Sequence, residues 1–183
     1  MATPLPAGLN AGTYVIDASH STASFTVRHA GISKVRGTIA IVSGEIAVGE
    51  DLDSTSVSAE LDAASVNTGD ENRDGHLRSA DFWHAEEKPV WSFVSKNISV
   101  DGDAYVIAGD LTINGVTKPV ELPTEFAGTA KDPFGNDRAG FESELVINRK
   151  DFDLTWNAAL ETGGFLVGDK VKIALDVSAI AQN

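Results

Sequence analysis

Along most of this chain apolar residues fall on every second position. In STASFTVRH, Phe25 and Val27 are apolar while Ser24, Thr26 and Arg28 are polar, the pattern of a half-buried strand with one apolar face. SVSAELDAA sets Val57, Ala59 and Leu61 against Ser56, Ser58, Glu60 and Asp62. KVKIALDVSA sets Val171, Ile173, Leu175 and Val177 against Lys170, Lys172, Asp176 and Ser178. Further strands are predicted over residues 35–48, with a break at Ser43-Gly44, and over 90–100, 104–113, 120–126 and 138–148. Asp101-Gly102 and Asn114-Gly115 stand between alternating runs as the central pairs of tight hairpin turns, where positive φ is required. Pro119 and Pro123 cannot donate to a ladder, so the strand at 120–126 must be an edge, a bulge or a lip where pairing is interrupted.

About eight strands with one apolar face each make a sandwich or an up-and-down barrel, and the succession of hairpins favours the barrel. No internal repeat, low-complexity tract or linker divides the chain, so one domain is expected over residues 13–181 behind a flexible lead-in at 1–12.

The alternation stops between Asn67 and Phe93. Thr68-Gly69-Asp70-Glu71 has the spacing of a capping box, and Leu77, Ala80, Trp83 and His84 then recur at helical intervals, with Asp74 and Arg78 placed for an i,i+4 ion pair. Gly75 weakens this helix and Pro89 lies beyond it. The expectation is a short, broken helical connection around residues 68–86 that crosses the sheet or its open end.

Composition narrows the function. The 183 residues carry a formal net charge of −13 and no cysteine, which disfavours phosphate backbones as partners and removes disulfides, thiolate metal sites and cysteine nucleophiles. Nucleic acid is not an expected partner. The first residues lack the basic and apolar regions of a secretory signal, and no apolar run is long enough to span a membrane, so the sequence alone points to the cytoplasm, or to a secreted or periplasmic place if a signal has been removed.

Candidate chemistry centres on histidine and carboxylates. His76 and His84, eight residues apart, would be separated by about 12 Å along a helix, too far for one metal. Asp17, His20 and Ser21 supply the residue types of a nucleophile, base and orienter, but at a spacing that equally describes a turn before the Phe25 strand. The glycine-rich run Gly163 to Gly168 lacks the lysine of a phosphate loop. Arg73, Asp74 and Arg149 are expected to be structural. An enzyme built on the His/Asp-rich segment 70–86, metal-dependent or hydrolytic, is therefore the alternative reading, and a sandwich module with a filled core is a third. No catalytic residue, metal or cofactor is assigned.

Aromatic residues carry a different signal. Phe25, Trp91, Phe93, Phe126 and Phe141 fall on apolar strand faces, and Phe82 and Trp83 sit in the connection that covers them. They describe either a filled core or a lumen, because an eight-stranded barrel is close to the size at which its interior is filled by side chains or holds one small ligand.

Taken in order, DASHSTASFTVRHAGISKVRGTI, NTGDENRDGHLRSADFW, AGDLTINGVTKPVEL, INRKDF and VGDKVKIALDV resemble the YceI-like family of lipocalin-like, polyisoprenoid-binding proteins, from about Tyr14 to Val177. The most specific element is the run from Arg73 to Ser79 followed by Asp81-Phe82, supported by His20-Ser21, His29, Arg36-Gly37, Leu111-Thr112 and Gly115-Val116-Thr117. The resemblance implies an all-β fold, an extended eight-stranded antiparallel barrel, whose lumen holds an isoprenoid or other long-chain lipid for carriage, storage or metabolism without catalysis. It also implies a bacterial chain with a lipid as principal partner, a homodimer being left open. Family members often carry glycine where this chain has Asp153, and an Asp- or Asn-like residue where it has His84.

By alternation and apolar character the lining is expected to comprise Phe25, Val27, Ile39, Trp91, Phe93, Ile107, Leu111, Phe141, Leu145 and Ile147, with Phe82 and Trp83 added from the connection. At about 0.8 kcal/mol per buried CH₂, a chain of roughly 20 to 40 carbons would gain about 16 to 32 kcal/mol gross, which reaches the practical ceiling of non-covalent affinity. Ordering costs must consume much of it.

Overall fold

The computed structural model describes residues 1–183. Nine strands form one antiparallel sheet that closes on itself: β1 (Gly12–Ile16), β2 (Thr22–His29), β3 (Ser33–Val48), β4 (Ser56–Asn67), β5 (Val90–Asp101), β6 (Ala104–Ile113), β7 (Val116–Lys131), β8 (Asp137–Asn148) and β9 (Val167–Ala181). Strands β2 to β9 are neighbours in chain order, and β2 pairs with β9 to close the barrel. Strand β1 lies in the same slot as β2, between β3 and β9, so the two are one strand position broken by the 3₁₀ turn Ala18–His20. Eight strand positions therefore make the barrel, as expected.

The break expected at Ser43-Gly44 falls just before it: Ser43 and Gly44 pair regularly with Glu60 and Ala59, and the register against β4 shifts between Ile41 and Ser43. This shift reverses the inward face, so that Ile39 and Ile41 before it and Ile46 and Val48 after it are buried. A second register shift between Ser95 and Asn97 does the same to β5, where Trp91 and Phe93 are followed by Ile98. A bulge adds one residue, and one residue exchanges the two faces.

Strand β7 extends beyond the expected 120–126, and its prolines have a clear rationale. Residues 116–124 pair with β6, and pairing with β8 begins only at Thr124. Pro119 and Pro123 thus lie where the β8 side of the strand has no partner. At the Asn114-Gly115 turn both residues have positive φ, 54° and 70°. The β5–β6 turn is one residue later than expected: Asp101 pairs with Ala104, so Gly102 and Asp103 are central, and only Gly102 has positive φ.

The two ends differ. At one, the connection end, lie the β2–β3 hairpin, the β4–β5 connection, the β6–β7 turn and the return loop 149–166. At the other, the lead-in end, lie the remaining hairpins and the first eleven residues. The lead-in is docked rather than free. The Thr3 amide donates to Asp53 Oδ2 and its carbonyl accepts from Leu52, while Leu9 is buried against Tyr14, Ile46 and Val48. An apolar Leu9 over an open barrel end gains burial that a flexible tail would forgo.

The connection holds helix α1 (Glu71–Arg78), shorter than the expected 68–86. Its cap is Asp70, whose carboxylate accepts from the Arg73 amide, and not Thr68. Thr68 instead donates its amide and hydroxyl to the buried Asp74, so Arg78 pairs with Glu71 at 2.9 Å and the expected Asp74–Arg78 pair does not form. After Arg78 the chain loosens into turns, with the Trp83 amide on the Leu77 carbonyl and the Ala85 amide on that of Arg78.

Candidate functional site: a divided apolar lumen

Inside the barrel are two cavities of about 170 and 200 Å³. The first fills the middle and the lead-in end. Of its 31 lining residues 26 are hydrophobic and none is charged. Its hydroxyls are largely spent on the protein itself: Thr124 bonds the Leu122 carbonyl and Ser143, and Ser24 reaches the Ala174 carbonyl. A ligand there meets apolar surface and almost no free hydrogen-bonding group.

The second chamber lies at the connection end, between the strands, α1 and the return loop. Arg28, His29, Arg73, His76 and Arg149 join its apolar lining. Phe25, Trp91, Ile113 and Ile173 border both chambers. Trp83 lies edge-to-face on Phe25 at 5.4 Å and on Trp91 at 5.2 Å, so three aromatic rings form the layer between them. Gly37 makes room for it, since a β-carbon there would stand 2.5 Å from the Phe25 ring. Within this layer Trp91 Nε1 is buried without a hydrogen-bond partner.

Every residue expected in the lining borders one chamber or both. Ile39, Phe93, Ile107, Leu111, Phe141 and Leu145 line the first; Val27, Phe82, Trp83 and Ile147 line the second; Phe25 and Trp91 line both. Phe126 lies outside this set, packed on Phe141 at 5.5 Å. Sequence reasoning missed Ile46, Val48 and Ile98, whose parity is reversed by the bulges, and Leu9, which belongs to no strand. It also missed Trp156 and Leu154 of the return loop, which no periodicity marks.

Hydrogen bonds build the second chamber. The buried Arg149 guanidinium donates to the carbonyls of Leu154, Trp156, Val167 and Gly168, holding both ends of the return loop. Burial lowers its pKa, and Asp169 opposes that shift. Arg73 is tied to Thr68 through its hydroxyl and carbonyl. His76 Nε2 meets Asp81 at 2.9 Å, and its ring packs edge-on against Phe82 and Trp156. Both family departures fall at positive φ, 49° at His84 and 57° at Asp153, the conformation in which Gly and Asn are least strained.

The candidate catalytic groups do not assemble as a relay. His20 Nδ1 faces both Asp17 at 2.8 Å and Ser19 at 3.1 Å, so acid and hydroxyl share one ring nitrogen, whereas a triad needs them on opposite nitrogens. Ser21 donates to the Ser178 carbonyl. The Ser19 hydroxyl, Arg138 and His20 together hold the Asp17 carboxyl well below the usual range, and Arg138 bridges it to Asp132. This clamp ties the broken strand β1–β2 to the β7–β8 hairpin. His76 and His84 meet different carboxylates, Asp81 and Glu87, and no group of three or more His, Asp or Glu is placed around a common metal position.

Comparison with known proteins places this architecture. The model of the YceI-like domain matches residues 14–179. Protein YceI of Escherichia coli O157:H7 is 40% identical over 147 residues, covering 79% of this chain and 77% of its own. The crystal structure of Burkholderia cenocepacia BcnA superposes with a TM-score of 0.75 at 22% identity, covering 89% of this chain and 98% of that one. A polyisoprenoid binding domain from Saccharophagus degradans, implicated in plant cell wall breakdown, superposes with a TM-score of 0.67 at 17% identity, covering 92% and 98%.

Proposed function

This chain belongs to the YceI-like domain family, and from that membership we propose that it binds a polyisoprenoid or similar long-chain lipid inside the barrel, as a carrier or store rather than a catalyst. The observation that carries the reading is the first chamber, an apolar space without one charged residue in its lining. The polyisoprenoid binding domain from S. degradans shares the barrel. An uncharged lumen favours ligands by length and girth, since each added CH₂ contributes about 0.8 kcal/mol whatever its chemical origin.

A chain longer than the first chamber must displace the Phe25–Trp83–Trp91 layer to continue into the second. Of the polar groups of the second chamber, Arg73, His76 and Arg149 are engaged by the protein, which leaves Arg28 and His29 for a polar chain terminus. Mass spectrometry of organic extracts from the purified protein tests the reading. One class of long-chain lipid should recur in proportion to protein. Its repeated absence, with reconstitution by added polyprenol also failing, would overturn it.

A further inference from the structure

Seven of the fourteen lysines and arginines form ion pairs with carboxylates: Arg78, Lys96, Lys131, Arg138, Arg149, Lys150 and Lys172. The other seven all lie toward the connection end, and three of them, Arg28, Lys34 and Arg36, share the outer face of the β2–β3 hairpin. From Ala18 to Gly44 the chain has no Asp or Glu at all, although acids outnumber bases 27 to 14 overall. Arg28 and Lys34 are direct cross-strand partners. Like charges in that position repel, and no carboxylate offsets them. A local rule broken without compensation points to a use outside the fold.

The hairpin tip adds an apolar feature. Ile32 is 86% exposed, and Phe165 of the return loop is 67% exposed. The two segments are joined beside these residues, where the Ala30 amide donates to the Leu166 carbonyl at 2.7 Å. Arg28, His29, Leu166 and Val167 also line the second chamber, so the patch borders the lumen.

We infer that the β2–β3 hairpin docks on an anionic lipid bilayer, with Ile32 and Phe165 entering the interface and Arg28, Lys34 and Arg36 meeting lipid headgroups. Such a surface supplies the opposite charge and an apolar layer together, which matches both parts of the patch. The net charge of −13 opposes approach as a whole. Screening over about 8 Å at physiological ionic strength lets the local patch act at contact. Carboxylates of this end stand in the β4–β5 connection, among them Asp81, Glu86 and Glu87, and in the return loop, Asp151, Asp153 and Glu161, while the β2–β3 hairpin carries none, so the molecule meets the surface on its hairpin side. As the site of lipid exchange, the patch rests on the carrier reading; as a membrane contact it is independent of it.

Vesicle flotation with the full chain tests the docking. The protein should float with phosphatidylcholine vesicles containing phosphatidylglycerol, remain unbound with phosphatidylcholine alone, and be released by added salt. Arg28→Glu/Lys34→Glu should weaken partitioning at least about tenfold, and Ile32→Asp should also weaken it. Lys96→Glu/Lys131→Glu changes net charge equally and should leave partitioning unchanged. Thermal midpoints verify folding, and Arg28→Gln/Lys34→Gln replaces the reversal if that variant does not fold. No flotation of the parent protein, or equal loss in both charge-reversed pairs, overturns the docking. Extracted lipid is measured in parallel: a protein that carries lipid but never floats refutes the docking alone, and one that floats but never holds lipid refutes the carrier reading alone.

Discussion

The two chambers of the barrel are made by different means. The first is built by strands, whose alternation sends one face inward, and it needs no polar interaction to keep its shape. The second is walled partly by α1 and the return loop, which have no sheet to hold them and depend on Arg149, Asp74, Arg73 and His76. Apolar packing thus makes the first chamber, and polar bonds, buried at Asp74 and Arg149 and exposed at Arg73 and His76, make the cover of the second. Removing a polar group should damage the second chamber while sparing the first.

The largest effect is expected at Arg149. Arg149→Met leaves several carbonyls without their donor, at about 1–3 kcal/mol for each group that stays buried, so a total loss of about 4 kcal/mol is expected. For a chain of this size that corresponds to a fall in thermal midpoint of roughly 8–16 °C. Hydrogen exchange should localise the damage to 149–168, with the amides of β5 and β6 still protected. Uniform loss across the barrel would contradict the division.

Trp83→Ala comes next, at about 3 kcal/mol, because it removes the ring that packs on both Phe25 and Trp91. It also joins the chambers, so the lipids recovered from this variant should shift to longer chains. His76→Ala is its contrast: the imidazole is partly exposed and its loss should cost about 1 kcal/mol with little change in lipid retained. If His76→Ala empties the protein at unchanged stability while Trp83→Ala is silent, the histidine holds a polar terminus and the connection is more than a cover.

Acid should loosen the lead-in end first. Hydrogen bonds from the Ser19 side chain, then Arg138 and His20, lower the Asp17 pKa, and the Asn136 amide is the main cause at Asp132. A carboxylate with a depressed folded pKa contributes stability that is present above its unfolded pKa of about 4 and lost as the pH falls below it. Asp17→Asn/Asp132→Asn should therefore be less stable at neutral pH and show a shallower decline below about pH 4 in urea titrations. An unchanged acid limb would show that the clamp does not couple to folding. The smallest effect is a gain: Asp153→Gly relieves a left-handed residue and should stabilise by about 0.5 kcal/mol, measured as a raised urea midpoint.

Legibility in the sequence follows the same division. Alternation marks a strand face directly, so Phe25, Ile107 and Leu145 could be placed in the lining from the chain alone. The signal fails where one extra residue reverses parity, as at Ile46 and Ile98, because a bulge carries no strong composition of its own. Around the second chamber, position depends on bonds between residues distant in the chain. Trp156 is placed by the carbonyl that Arg149 binds, and Thr68 is diverted from capping α1 by the buried Asp74. Neither choice leaves a periodic trace. The resemblance of the Arg73 to Ser79 run located the cover without disclosing how it is held.

Filling the first chamber tests the central claim most directly. Ala59 lines it from β4 and is not fully buried, so Ala59→Trp places an indole in the lumen without removing a packed group. The parent protein should yield long-chain lipid on extraction, and Ala59→Trp, folded with a similar thermal midpoint, should lose most of it. A parent that holds no lipid after purification and reconstitution, or a folded variant that holds as much as the parent, would contradict a lumen that binds by apolar volume.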